Sequence, residues 1–187
     1  MSDLPEGMVL DTEAKRLAGI RFLNARLPKK RLIAQGVLRS GEGRILLCEL
    51  TYKRDWDLPG GVVDPGESPA YCVVREIDEE LGLEVVVRGL LAVNWLPPYR
   101  GWDDALLFLF DLGTVDAGVL DEATLLRREI RAAHWVAPED LIDHVAPYTA
   151  AMLGEVLPQV TSAGVASTAY IEDSRRVVFG DAEADGA

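Results

Sequence analysis

The run Arg75-Glu76-Ile77-Asp78-Glu79-Glu80, set inside Gly61–Leu83, constrains this chain more than any other feature. Ser68 is a good helix N-cap, Pro69 a good first helical residue and Gly82 a natural stop, so a helix is predicted over about 69–81. Ala70, Val73, Val74, Ile77 and Leu81 recur at helical spacing and form one apolar stripe. At about 100° per residue, Glu76, Glu79 and Glu80 fall within an arc of roughly 100° beside that stripe, while Asp78 points elsewhere. Such a cluster is locally unfavourable. Glu76 and Glu80 repel at i,i+4, and Glu79 and Glu80 occupy the last turn, where the helix dipole disfavours anions. A solvated acidic face is the ordinary reading of a Glu-rich helix. Two separate electrostatic costs at one spot argue instead for a cation that offsets them. The candidate ligands are all carboxylate oxygens, with no His or thiolate pattern nearby, so the cation is hard: Mg²⁺, with Mn²⁺ as the alternative.

The spacing Gly, five residues, Glu, seven residues, Arg-Glu-apolar-X-Glu-Glu-X-Gly-apolar resembles the signature of the Nudix hydrolases. Gly61, Glu67, Arg75, Glu76, Ile77, Glu79, Glu80, Gly82 and Leu83 fill every defined position of it. The strand pattern around this box extends the resemblance from about Arg31 to Val136. It implies an α/β fold, a mixed β-sheet sandwiched between helices (α/β/α), and a metal-dependent pyrophosphohydrolase. Under the resemblance Glu76, Glu79 and Glu80 are the metal ligands, with Glu80 nearest the catalytic ion. The Gly60 carbonyl is a further ligand, and Glu67 acts from behind the ligands or through water. Arg75 orients the carboxylates, consistent with its i,i+4 reach to Glu79.

Cleaving a phosphoanhydride requires neutralising phosphate charge and delivering a water in line with the leaving group, and a divalent ion serves both ends. A base must activate that water. In several family members a Glu stands six residues ahead of a Trp, as Glu129 stands to Trp135; Glu80 itself is a second candidate, and Asp121 and Glu122 are fallbacks. The segment Trp95-Leu96-Pro97-Pro98-Tyr99-Arg100-Gly101-Trp102 is expected to meet the recognised half of the substrate, since aromatic faces stack on bases and Arg pairs with phosphate. The rival reading is a Pro-stiffened loop that packs its aromatics into the core or an interface. Trp56 has two readings as well, pocket wall or core. Pro98 resembles the ADP-ribose-cleaving members and Tyr99 the dinucleoside-polyphosphate members, so the two hints pull apart. The motif of the coenzyme A-cleaving members is not apparent.

The chain has 187 residues, 49% of them apolar, as in a globular protein. No stretch approaches the roughly 20 apolar residues that span a bilayer, and the N-terminus lacks the basic region and apolar core of a signal peptide. Cys48 and Cys72 imply no disulfide framework. These features predict a cytoplasmic protein without a membrane partner. A net charge of −12 argues against long nucleic acid as a partner but not against a small nucleotide, because divalent ions invert the local charge of an acidic site. Family members are often dimers, so a homodimer is what the resemblance implies.

Residues 1–30 are expected to form an N-terminal extension with a helix over 12–26, residues 31–160 the Nudix domain, and residues 161–187 a partly disordered C-terminal segment. Within the domain, Arg31–Leu38 and Arg44–Leu50 read as a hairpin and Trp56–Leu58 as a short strand leading into a Pro59-Gly60-Gly61 turn. Leu83–Trp95, Asp104–Leu112 and Ala132–Val136 read as strands, and 138–144 and 147–157 as helices. His134 and His144 are read as a packed strand residue and a helix-end residue. Neither G-x-S-x-G nor G-x-x-x-x-G-K-[ST] occurs, which leaves serine hydrolases and P-loop NTPases unsupported. The expected activity is cleavage of a nucleoside diphosphate linked to a group X, with ADP-ribose or another nucleotide sugar slightly favoured. The alternatives are a nucleoside triphosphate pyrophosphohydrolase and, from another class, a non-catalytic nucleotide sensor. Sensors lose box carboxylates, and this chain keeps them all.

Overall fold

The computed structural model describes residues 6–161 and 164–178. The chain divides into two units, residues 1–30 and 31–187. The first unit holds α1 (Glu6–Asn24), which starts before the predicted helix, runs through Gly19 and ends with Ala25 and Leu27 donating back to Arg21 and Leu23 ahead of Pro28.

The second unit is built on one mixed sheet. Its strands are β1 (Arg31–Ser40), β2 (Ile45–Leu50), β3 (Gly60–Val62), β4 (Gly89–Leu96), β5 (Ala105–Val115) and β6 (Ile130–Val136), followed by β7 (Val160–Thr161) and β8 (Gly164–Val165) as a separate pair, then β9 (Ala169–Glu172) and β10 (Arg175–Arg176). The order is β10-β9-β4-β5-β1-β2-β6, with β3 paired to β1. β1 runs parallel to β5 and β4 parallel to β9; the other pairs are antiparallel.

Side-chain alternation along the strands gives the sheet two apolar faces. Ala34 and Leu38, Leu46 and Cys48, and Phe110 and Leu112 pack on Cys72, Val73, Ile77 and Leu81 of α2 (Pro69–Leu81). Val37, Ile45, Leu47, Leu107 and Leu109 pack instead with Met152, Leu153 and Val156 of α4 (Pro147–Val156), which follows the single turn of α3 (Leu141–His144). The result is the α/β/α sandwich that the sequence predicts.

α2 has the predicted bounds. Ser68 Oγ accepts the Tyr71 amide at its start, and Gly82, left-handed at φ 65°, donates its amide to Asp78 at its end. Magnitudes explain why the helix tolerates its acidic face: an i,i+4 like-charge pair costs about 0.2–0.5 kcal/mol, whereas each fully buried aliphatic side chain contributes about 1.5–3 kcal/mol. Val73, Ile77 and Leu81 are all fully buried.

Three expectations of secondary structure need correction. The Val-rich stretch after Leu83 is not strand until Gly89. Leu83, Val85 and Val87 alternate because one side of an extended segment covers the α2 core, but the segment has no ladder partner until Arg88 donates to Asp111. Trp56–Leu58 does not form a sheet strand and makes only isolated bridges, Asp57 to Cys48 and Trp56 to Val145. Gly60–Val62, read as part of a turn, is strand β3, because Gly60, Gly61 and Val62 pair with Gln35, Ala34 and Ile33. Residues 164–176, placed by the sequence beyond the domain, supply β8–β10, and Ala169 and Ile171 of β9 are buried in the sheet. The acidic end, 180–187, lies outside the described residues.

Candidate active site

The site forms where β3 passes under α2. Gly60 has φ 134°, and a Cβ there would strike the Ala34 carbonyl and the Gln35 backbone; a Cβ on Gly61 would lie 2.6 Å from the Glu76 carboxylate. Gly60 must be glycine for this backbone to lie against β1, and the absence of a side chain at Gly61 leaves room for the Glu76 carboxylate. The Gly60 amide donates to Glu80 Oε2 at 3.1 Å.

The box carboxylates lie in contrasting environments. Glu67 is gripped by Arg75 in a two-pronged pair, Nε to Oε1 at 2.7 Å and Nη2 to Oε2 at 3.0 Å, and also accepts the Asp64 amide at 3.0 Å. The Arg75 hydrogen bonds and then the Asp64 amide hold the Glu67 carboxyl down at about 2. Arg75 Nη1 also reaches Glu76 Oε1 at 3.0 Å and Glu79 Oε2 at 3.1 Å, the latter at the i,i+4 spacing read from sequence. Glu76 is partly buried, and burial pushes its carboxyl up against the pull of Arg75. Glu79 is the most open of the three. Glu80 is 7% exposed. Burial raises its carboxyl to about 8; the Gly60 amide opposes this, and the charges of Glu76, Glu129 and Asp57 add to it. Among the described residues no Lys or Arg pairs with Glu80.

Glu129 sits at the start of β6 with its carboxylate on Arg128 at 2.9 Å, about two-fifths exposed, and its charge acts on both Glu76 and Glu80. Asp121 and Glu122 are exposed at the end of a 3₁₀ turn, and neither is among the charges that chiefly raise Glu76 or Glu80. Cys72 is buried on the carboxylate side, where burial and the charges of Glu67 and Glu76 push its thiol up to about 12, in keeping with a packing residue.

Among the described residues no three His, Cys, Asp or Glu side chains are gathered closely enough to hold a metal ion as they stand. The Arg75 guanidinium bridges Glu76 and Glu79. The donor set nevertheless suits a hard divalent cation. It is all oxygen, it contains a buried carboxylate without a cation, and the Cβ-free Gly60-Gly61 backbone lies against Glu76 and Glu80.

The predicted substrate-binding residues separate. Trp56 stacks between two imidazoles, His134 at 4.0 Å and His144 at 4.2 Å between ring centroids. Both histidines stack on the indole, so Trp56 packs between β6 and α3 and offers no free ring face for a base. Trp95 is half-buried, its indole N–H donating to Asp104 at 3.1 Å. Tyr99 and Trp102 close a tight hairpin tip on each other's backbone and are exposed, with the Arg100 guanidinium over the Tyr99 ring and the Arg31 guanidinium over Trp102; Pro98 leads into this tip. By register the tip lies beyond Arg31, four residues or about 13 Å along β1 from the level of Gly60.

Sequence reading missed Gln35, Tyr52, Lys53 and Asp57. Asp57 Oδ1 accepts from Gln35 Nε2 at 3.1 Å and from the Leu58 amide at 3.0 Å, and Asp57 Oδ2 pairs with Lys53 Nζ at 2.6 Å. The signals were present: Gln35 interrupts the apolar run of β1, and Lys53 stands four residues before Asp57 in the approach to the glycine pair.

Comparison with known proteins agrees with this geometry. The NUDIX domain family model matches residues 29–159, and the chain belongs to the Nudix family. It is 30% identical over 107 residues to the CTP pyrophosphohydrolase of Escherichia coli (strain K12), across 55% of this chain and 73% of that protein. A Bacillus subtilis (strain 168) relative, 37% identical over 83 residues, is matched across 44% of this chain and only half of its own length (50%). The crystal structure of a MutT NUDIX hydrolase from Burkholderia pseudomallei superposes with a TM-score of 0.57 at 26% identity, covering 72% of this chain and 100% of that one.

Proposed function

We propose that the chain is a Mg²⁺-dependent pyrophosphohydrolase that cleaves the phosphoanhydride of a nucleoside diphosphate linked to a group X, with ADP-ribose or another nucleotide sugar as the favoured class. The observation that carries this reading is the buried Glu80 carboxylate, hydrogen-bonded to Gly60 and without a cation, inside a complete Nudix box. Glu76, Glu79, Glu80 and the Gly60 carbonyl would hold the metal, with Mn²⁺ as a substitute. A divalent ion bound there supplies charge neutralisation for the phosphates and acidifies a bound water. Arg75, anchored on Glu67, fixes the directions of Glu76 and Glu79. Glu129, partly exposed and with its charge acting on Glu76 and Glu80, is one candidate base to take a proton from water, and Glu80 is the other. Tyr99, Arg100 and Trp95 stand toward the hairpin end, and Pro98 shapes the approach to it.

A second reading, hydrolysis of nucleoside triphosphates, is favoured by the likeness to a CTP pyrophosphohydrolase. Phosphate release, with added pyrophosphatase or phosphatase, distinguishes the two across ADP-ribose, sugar nucleotides, dinucleoside polyphosphates and (d)NTPs, with and without Mg²⁺. Strong metal-dependent turnover of the first class is expected. Turnover confined to triphosphates selects the second reading, and silence together with tight nucleotide binding selects a sensor.

A further inference from the structure

We propose that Lys53, held at the rim of the carboxylate cluster by Asp57, is the residue cation that binds the substrate's phosphates; this rests on the pyrophosphohydrolase reading above. The loop between β2 and β3 that carries Lys53 leads into the glycine pair of the site and is pinned at both ends. Thr51 donates its amide to the Glu129 carbonyl at 2.9 Å and its hydroxyl to the Arg128 carbonyl at 2.8 Å. Asp57 exchanges backbone hydrogen bonds with Cys48 at 2.7 and 3.0 Å, three residues before the glycine that holds Glu80. Tyr52 and Lys53 therefore lie, along the chain, between the segment pinned beside Glu129 and the approach to Gly60, and the charge of Asp57, which holds Lys53, acts on Glu80.

The Lys53–Asp57 contact has the spacing of an ordinary surface ion pair, which contributes little to stability. A pair of that kind does not need its carboxylate fixed from behind. Here Gln35, a buried side chain from β1, and the Leu58 amide both donate to Asp57 Oδ1, leaving Oδ2 to aim the ammonium. Burial lowers the Lys53 ammonium, but the charge and hydrogen bond of Asp57 outweigh it and raise it, so the cation persists. Its side chain is still about one-third exposed, 34%. An ammonium has three rotatable donors, and Asp57 takes one.

The other cations beside the cluster have less to offer. Arg75 serves Glu67, Glu76 and Glu79, and Arg128 serves Glu129. A diphosphate entering a site with this excess of carboxylates brings further negative charge, and a compact, partly desolvated point charge suits phosphate oxygens. Tyr52, exposed beside Lys53, feels the charges of Glu80, Asp57 and Glu129 and stands on the same rim.

The test measures binding separately from turnover. Inorganic pyrophosphate is titrated calorimetrically, in the presence of Ca²⁺, into wild type, Lys53→Met and Lys53→Arg, and KM and kcat are measured for whichever substrate the panel identifies. Lys53→Met is expected to weaken pyrophosphate binding and raise KM by about tenfold, with kcat changed less than about threefold, and Lys53→Arg to restore most of the loss. Equal pyrophosphate affinity in wild type and Lys53→Met overturns the inference, as does absence of pyrophosphate binding in wild type. Thermal melts check that the variants fold, with Lys53→Gln as the substitute if the Met variant does not. Lys53-dependent pyrophosphate binding with a silent hydrolysis panel would overturn the proposed activity and leave this inference standing.

Discussion

The two ends of the Nudix box treat a carboxylate in opposite ways. At the front, Glu67 is locked by two hydrogen bonds from Arg75 and one from Asp64, and its carboxyl is held down at about 2. At the back, Glu80 has one amide for company, lies almost wholly inside the protein and is raised to about 8 by burial. A fold that only needed a stable helix would give both ends the first treatment. The contrast separates a brace, complete in itself, from a buried carboxyl that no cation among the described residues pairs with.

The comparison breaks most sharply if Glu80 proves dispensable. Glu80→Gln keeps the shape and loses the charge, so it is expected to lower kcat by roughly 10²–10⁴-fold, or about 3–5 kcal/mol of barrier, while the domain stays folded. Steady-state assays with saturating Mg²⁺ measure this. Activity within tenfold of wild type would remove Glu80 from the proposed chemistry.

The same contrast gives a pH dependence of stability with a definite sign. Glu80 has its folded pKa, about 8, above the ordinary carboxyl value of 4.5, so its contribution is fully present below about 4.5 and is lost as pH rises through 8. Glu67 behaves oppositely: its contribution is present above 4.5 and lost as pH falls toward about 2. At about 1.4 kcal/mol per pKa unit, the Glu80 effect reaches several kcal/mol in protein stripped of metal. Its Tm is expected to fall by roughly 5–10 °C between pH 5 and pH 8. Glu80→Gln should flatten that slope and melt higher than wild type at pH 8, although it is the variant expected to lose most activity. Excess Mg²⁺ should reverse the slope in wild type alone, because binding to the folded state stabilises it. A metal-free melt that is flat from pH 5 to pH 8 would refute the burial account of Glu80.

How much of this was legible beforehand differs along the chain for physical reasons. The bounds of α2 follow from local chemistry at Ser68, Pro69 and Gly82, and the placement of Glu76, Glu79 and Glu80 follows from helical angle alone. Leu83–Arg88 misled because alternation reports one-sided burial, which an unpaired extended segment shows as readily as a strand. Trp56 could not be assigned because its two stacking partners come from β6 and α3, 78 and 88 residues further on. Asp57 and Lys53 carry a local i,i+4 signal, but their meaning depends on Gln35 arriving from β1.

The brace is tested by Glu67→Gln, which keeps hydrogen-bonding atoms but removes the charge that anchors Arg75. Arg75 would then relax toward Glu76 and Glu79, and groups that orient ligands from behind typically account for 10–100-fold in metal affinity or activity. The expected result is a loss of about that size, seen as a higher Mg²⁺ requirement at unchanged maximal rate. A loss equal to that of Glu80→Gln, persisting at saturating metal, would mean that Glu67 belongs to the chemistry.

The smallest effect is expected at Asp78, and it tests whether position on the helix rather than acidity alone sets the roles. Asp78 lies between Ile77 and Glu79 in the most acidic stretch of the chain, yet its side chain is exposed on another face, while its backbone carbonyl accepts from Gly82. Asp78→Asn removes the same charge as a box substitution without touching the Gly60–Glu80 contact or the Arg75 bridge. Surface changes of this kind stay within about ±0.5 kcal/mol, so kcat, KM and the Mg²⁺ requirement should each remain within about twofold of wild type. A loss comparable to that of Glu80→Gln would show that the helix responds to total charge, and the distinction between brace and site would lose its geometric basis.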